Sequence, residues 1–179
     1  MIIINEILKT KGLDITAKDN SGETALHLAA KGNSKALIRH LVENGADINS
    51  HDDIGRSPIH IAVENNKKSI IALLKSLGAD INSRDNYGET PLHYALHQCR
   101  KEIVDFLISQ GADIEAKDNN GRKIIHIAAE NGRVGIVEKL ISLGADLNSA
   151  DNQGQTPLDI ALNYSRKIAT ILMQHDAVE

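Results

Sequence analysis

The sequence predicts an all-α solenoid of stacked helix pairs joined by hairpin-like loops, and three observations carry the prediction. Glycines recur at a fixed interval of 33 residues: Gly22, Gly55, Gly88, Gly121 and Gly154, with a second set at Gly12, Gly45, Gly78, Gly111 and Gly144. A period in this range marks stacked supersecondary units. Between the glycines, Leu37, Ile38, Leu41 and Val42 return as Ile70, Ile71 and Leu74, as Ile103, Val104, Leu107 and Ile108, and as Ile136, Val137, Leu140 and Ile141. That spacing makes one apolar stripe along a helix. Finally, the chain of 179 residues is 41% hydrophobic but only 2% aromatic, with no Trp, which suits thin aliphatic layers better than one deep core.

In chain order, residues 1–18 read as an N-terminal half repeat. Gly12 aligns with Gly45, which makes residues 1–11 a second helix whose stripe is kept by Ile4 and Leu8. A natural cap and a piece of a longer array are both open readings there. Repeats then run over 19–51, 52–84, 85–117 and 118–150, and a truncated capping repeat over 151–179, all within a single domain. Each opens on a turn-forming aspartate: Asp19, Asp52, Asp85, Asp118 or Asp151. Thr24, Ser57, Thr90 and Thr156 follow as N-caps that accept from free helix N–H groups. Pro58, Pro91 and Pro157 take the first helical position, where a missing N–H costs nothing. The fourth full repeat has Lys123 and Ile124 in these places, so Lys123→Thr with Ile124→Pro is expected to stabilise by roughly 1–2 kcal/mol. First helices turn Leu26, Ala29 and Ala30 and their equivalents inward. Asn33, Asn66, Cys99 and Gly132 are expected to link the two helices in the left-handed conformation, which cysteine adopts poorly. Gly45, Gly78, Gly111 and Gly144 stop the second helices, and Ile48, Ile81, Ile114 and Leu147 tuck under the hairpins. In the last repeat, Ile168, Leu172 and Met173 restore the stripe if one preceding residue is deleted, and Asp176 stands where a stopping glycine stood.

The words at each beat carry a family resemblance. Asp19-Asn-Ser-Gly-Glu-Thr-Ala-Leu-His27 returns as Asp85-Asn-Tyr-Gly-Glu-Thr-Pro-Leu-His93 and, varied, at Asp52 and Asp151. Gly45-Ala-Asp-Ile-Asn49 returns at Gly78, Gly111 and Gly144. Over nearly its whole length the chain resembles the ankyrin repeat, with its T-P-L-H-x-A signature. The resemblance implies a right-packed, curved array whose concave face binds a protein partner. It also implies that His27, His60, His93 and His126 are structural hydrogen-bonders linking a helix start to the neighbouring repeat, and that binding residues lie at the hairpin tips and on the exposed side of the first helices.

Other function classes find no support in the residues. The net charge is −4 with both signs interspersed, so no basic stripe points to nucleic acid. No apolar run approaches the roughly 20 residues that span a bilayer, and no leader is evident, so no membrane partner is expected. Cys99 is the only cysteine, which favours a reducing compartment: the cytoplasm, with the nucleus open. Histidines in a column at roughly 10 Å repeat spacing cannot share a zinc ion that needs ligands within about 2.1 Å. With no nucleophile elbow, P-loop or dinucleotide fingerprint, the sequence points to no enzyme, no catalytic residue, no metal and no cofactor.

Function is therefore expected where the repeats differ. Ile54 and Tyr87 occupy equivalent tip positions in adjacent repeats and read as apolar anchors, with Arg56, Arg84, Glu89, His97, Arg122 and Tyr164 as further partner-binding residues. Lys18, His51, Arg84 and Lys117 stand one per repeat before the turn aspartates, either to neutralise them or to form a basic rim for an acidic partner. The reading is a monomeric protein-interaction module. The alternatives are a stoichiometric inhibitor or regulatory subunit of one enzyme or transcription factor, a fragment of a larger scaffold, and, from the family resemblance, a substrate of asparagine hydroxylation at Asn49, Asn82 or Asn148.

Overall fold

The structure, a computed structural model, describes residues 14–176. The half repeat expected at the N-terminus thus lies mostly outside the described residues. The chain divides into two compact units, Met1–Asp85 and Asn86–Glu179. The first holds α1 (Ala25–Lys31), α2 (Lys35–Glu43), α3 (Pro58–Glu64) and α4 (Lys68–Ser76). The second holds α5 (Pro91–His97), α6 (Lys101–Ser109), α7 (Ile124–Glu130), α8 (Val134–Ser142), α9 (Pro157–Tyr164) and α10 (Arg166–Asp176). Each first helix packs on its own second helix. Within the units, α1 packs on α3, α5 on α7 and α7 on α9. The buried layers are those the stripes define: Leu26, Ala30, Ile38 and Leu41, for example, or Ile124, Ala128, Ile136 and Leu140. Alanines facing a neighbour let helix axes approach closely, because they contribute no bulk at the contact.

Helix entry is more elaborate than the expectation. Thr24, Ser57 and Thr90 are N-caps, and each closes a capping box with the histidine three residues on, its hydroxyl lying against both that residue's backbone N–H and its ring. The Thr24 N–H donates to His27 Nδ1 at 3.2 Å, and the same bond joins Ser57 to His60 and Thr90 to His93, each at 3.1 Å. Histidine here plays the part that Glu or Gln plays in a capping box. A ring nitrogen that accepts a backbone N–H carries no proton, so the proton sits on Nε2. In His27 that Nε2–H donates to the Arg56 carbonyl of the next repeat at 2.9 Å. In His126 it donates to the Ser149 carbonyl at 2.9 Å. The last repeat has Asp159 at this position. It accepts from the Thr156 N–H at 2.9 Å, and its own N–H donates to the Thr156 hydroxyl, so it closes the box without the histidine's second arm.

Asn66 and Cys99 take the expected left-handed link, at φ 57° and 58°, as does Gly132 at 65°. Asn33 does not. The extended Gly32 (φ −70°, ψ −159°) ends α1, and the Ser34 hydroxyl then caps α2 by accepting from the Leu37 N–H, so no left-handed residue is needed. Gly45, Gly78, Gly111 and Gly144 all end their helices at positive φ, as expected. Ile81 is buried, while Ile48, Ile114 and Leu147 are half-buried. In α10, Ile168 and Leu172 are buried but Met173 is exposed, which corrects the stripe expected there.

Lys123 overturns the expected stabilisation by Thr and Pro. The lysine is only 7% exposed, and its Nζ donates to Glu115 Oε2 at 2.5 Å and to Asp146 Oδ2 at 2.7 Å. Glu115 stands where other repeats have Asn49, Asn82 and Asn148. Its Oε1 accepts from the Asp146 N–H just as Asn49 Oδ1 accepts from the Asp80 N–H. The two departures of this repeat explain each other: a carboxylate replaces the amide, and a lysine replaces the threonine to pair with it. Ile124, in the place of proline, is fully buried. Burial pulls the Lys123 ammonium down, but Asp146 and Glu115 outweigh it and leave its pKa raised above 10.5. The hydrogen bond from Lys123, with the Asn148 N–H, holds Asp146 below 3.8. The pair therefore stabilises fully between those two values; its contribution is lost as pH falls through the lowered Asp146 pKa or rises through the raised Lys123 pKa. Lys123→Thr with Ile124→Pro is expected to lower the unfolding free energy measured in urea by about 1–2 kcal/mol, less than a fully buried pair because both carboxylates keep access to water. Adding Glu115→Asn should restore part of that loss. Additive effects in a double-mutant cycle would show that the two residues are not coupled.

Candidate binding surface

The variable side chains are positioned by the hairpin tips and by the exposed side of the first helices. At each tip the turn aspartate is consumed by backbone. Asp52 Oδ1 accepts from the N–H groups of Ile54 at 3.1 Å and Arg56 at 2.8 Å, and Asp118 and Asp151 repeat this pattern. The bases that precede the aspartates do not neutralise them, so that expectation is set aside. Arg84 and Lys117 are exposed and form no ion pair among the described residues, and Lys18 Nζ donates to the His51 carbonyl.

In the first unit, Ile54 is 39% exposed at its tip. Arg56 is engaged within the repeats: Nε donates to Asp52 Oδ2 at 2.8 Å, Nη1 to Glu64 Oε2 at 2.9 Å, and Nη2 lies 3.8 Å from Glu23. In the second unit, Tyr87 is 61% and Tyr164 65% exposed. Glu89 and His97 pair at 2.8 Å, and Arg122 pairs with Glu130. The hydrogen bond to Glu89 raises the His97 pKa above 6.5, and the same bond lowers that of Glu89 below 4.5.

A pattern missed in the sequence joins these pairs. A tip residue and the first-helix residue eight positions on carry opposite signs: Glu23 and Lys31, Arg56 and Glu64, Glu89 and His97, Arg122 and Glu130. The last three of these couples form ion pairs. Only the final repeat breaks the rule, with neutral Gln155 and Asn163. The signal was readable as an eight-residue spacing, but the two positions lie on different elements and helical periodicity does not connect them.

Each unit, taken by itself, holds a cleft lined by tip and first-helix residues. One of about 240 Å³ is lined by Glu23, Lys31, Arg56, Ile61, Glu64 and Asn65. One of about 280 Å³ is lined by Arg122, Glu130, Asp151, Gln153, Gln155, Ile160, Asn163 and Tyr164. All six residues of the first cleft have their equivalents, three repeats on in sequence, among these eight. Cys99 is exposed, with the Arg133 guanidinium donating to its sulfur. Among the described residues no group of three or more His, Cys, Asp or Glu side chains could hold a metal ion, and no helix is long and apolar enough to cross a membrane.

Comparison with known families agrees with the repeat geometry. The model described as ankyrin repeats (3 copies) matches residues 2–85, 52–118 and 102–178. No curated protein sequence gives a significant match.

Proposed function

The chain belongs to the ankyrin-repeat family, and from that premise we propose that it is a protein-binding module whose partner contacts the side chains in which its repeats differ. Repeats of this family generally mediate protein–protein interaction, and only such repeats are matched here. The observation that carries the reading is the exposure of Tyr87 and Tyr164 at positions where other repeats place Ser21, Asn120 and Gln153, or Gly32, Asn65 and Asn131. Folding does not require an aromatic ring at either site, and tyrosine is enriched where binding energy concentrates. Ile54 adds a second apolar tip, and the unpaired Arg84 and Lys117 favour a partner with acidic groups at its rim. The module works without catalysis, as a monomer, by presenting these groups on a rigid scaffold.

The test is affinity capture from source cells with the wild-type chain and with Ile54→Ser/Tyr87→Asn. The variant is expected to keep its unfolding free energy in urea within about 0.5 kcal/mol, as surface changes do. It should weaken the captured partner by about 2 kcal/mol or more, the range of hot-spot residues. A variant that unfolds, or that retains every partner at full affinity, contradicts the assignment.

A further inference from the structure

We propose that the edge of the second unit formed by the starts of α6, α8 and α10 is a docking surface for an acidic segment of the protein partner, one with a carboxylate at every third residue. The proposal rests on the protein-binding reading above and places a contact away from the tips and first helices. It begins with a broken local rule. A helix start favours Ser, Thr, Asp or Asn as N-cap and disfavours cations, because its unpaired N–H groups are already positive. Ser34 and Ser165 obey the rule: their hydroxyls accept from the Leu37 N–H at 3.3 Å and the Ile168 N–H at 3.4 Å. The repeats between them do not. Lys67, Arg100 and Arg133 are the N-caps of α4, α6 and α8, and none supplies a side-chain cap bond. A local rule broken without reward to the fold points to function.

In the second unit these starts gather five bases, Arg100, Lys101, Arg133, Arg166 and Lys167, against one carboxylate, the exposed Glu102. Gly135 stands where Glu102 stood one repeat earlier, so the fourth full repeat has no acid at this point. The other carboxylates on adjoining turns are Asp105, which pairs with Lys139, Glu130, which pairs with Arg122, and the exposed Glu138 further along α8. Lys101, Arg133, Arg166 and Lys167 form no ion pair among the described residues. Lys101 and Arg133 line one cleft of about 310 Å³ together with Cys99 and the first turn of α8, and no carboxylate takes part in the lining. The Arg133 guanidinium donates to the Cys99 sulfur, a weak acceptor, and its buried Nε has no partner. Two positive side chains thus meet the positive end of a helix with nothing negative to answer them, and a carboxylate is the group that fits. Consecutive repeats lie roughly 10 Å apart. Three residues of a polyproline II segment advance about 9.3 Å and bring a side chain back to the same face, so carboxylates at i, i+3 and i+6 meet the three starts in turn. A nucleic-acid single strand fits less well, because it needs a succession of aromatic rings as well as charge. Tyr164 is the one aromatic residue within two positions of these starts.

The probe is a labelled peptide of about 12 residues with Glu at every third position among Pro, Ala and Gln, titrated against the full chain. The controls are a peptide of the same composition with its Glu residues grouped, and single-stranded and duplex DNA of similar length. The spaced peptide should bind at least about threefold tighter than the grouped one, because charge complementarity fixes register. Its affinity should fall at least about tenfold between about 0.1 and 1 M salt, as the Debye length drops from roughly 10 to 3 Å. Arg133→Ser gives α8 the cap found at Ser34 and Ser165, and should weaken the peptide about fivefold or more while the urea midpoint holds or rises. Lys101→Gln/Lys167→Gln should weaken it by a similar factor at an unchanged midpoint. No binding of the spaced peptide, equal binding of the grouped one, undiminished affinity in Lys101→Gln/Lys167→Gln, or tighter binding of either DNA would overturn the proposal. A captured partner that is lost on Ile54→Ser/Tyr87→Asn but kept in full by Lys101→Gln/Lys167→Gln would overturn this surface and leave the protein-binding reading intact.

Discussion

Lowering the pH below 6.5 should destabilise this protein well before its carboxylates titrate. Burial is the main cause that holds the pKa values of His27, His93 and His126 below the ordinary 6.5, and their bonds to backbone carbonyls only partly oppose it. In the unfolded chain these imidazoles take up protons at about 6.5, while in the folded chain they do so only at lower pH. The unfolded state therefore binds more protons below that pH, and stability is fully present above 6.5 and lost as pH falls toward the folded values. Each of the three histidines adds to this loss, because the unfolded chain binds a proton at a pH where the folded ring resists it. His97 acts oppositely. Its raised pKa gives a contribution that is present below 6.5 and lost as pH rises, but it is one group, partly exposed, against three. Urea midpoints should fall as the pH drops below about 6.5. A flat profile there would show that the three rings are protonated in the fold, which the Nδ1 acceptors exclude.

Alanine at Gly22 or Gly121 should cost more than alanine at Gly154. All three lie at positive φ, at 73°, 75° and 77°, so a side chain at any of them carries the left-handed penalty of roughly 1–2 kcal/mol. A Cβ on Gly22 would also stand 2.6 Å from the backbone nitrogen of Asp53, and one on Gly121 3.0 Å from that of Asn152. Those nitrogens are bonded where they lie: Asp53 N–H donates to the Ser21 carbonyl at 3.1 Å and Asn152 N–H to the Asn120 carbonyl at 2.9 Å. The tips of neighbouring repeats are stitched together at these points, so the added carbon cannot be accommodated by a side-chain swing. A Cβ on Gly154 would meet nothing within 4 Å. Gly22→Ala and Gly121→Ala are each expected to lose about 2–4 kcal/mol by urea unfolding, and Gly154→Ala about 1–2. Equal losses at all three would mean that the tip-to-tip contact is not a stabilising feature.

The repeat frame was legible because each of its signals is local. A glycine after a stripe, a threonine before a proline and alanines at helical spacing act within one or two turns of chain, and Gly78, Thr90 and Ala95 stand where those rules place them. What was not legible depends on pairings across the repeat. Lys123 looks like a failed cap until Asp146, 23 residues on, is seen beside it. Arg56 and Arg122 look like free binding groups until Glu64 and Glu130 are found in contact. Asn33 looks obligatory at its link until the extended Gly32 and the Ser34 cap remove the need. The exposed tyrosines could be named from sequence as exceptions to the repeat, whereas the cleft beside Tyr164 becomes visible only with its charged counterpart around Arg56.

The most direct measurement compares stability and partner affinity in one variant, Tyr87→Asn/Tyr164→Asn, against the partner captured by the wild-type chain. If the invariant positions hold the fold and the differing ones hold the partner, the unfolding free energy in urea stays within about 0.5 kcal/mol of wild type while affinity falls by about 2 kcal/mol or more. A lowered midpoint with unchanged affinity would contradict this, because the two rings would then belong to the fold and not to the binding surface.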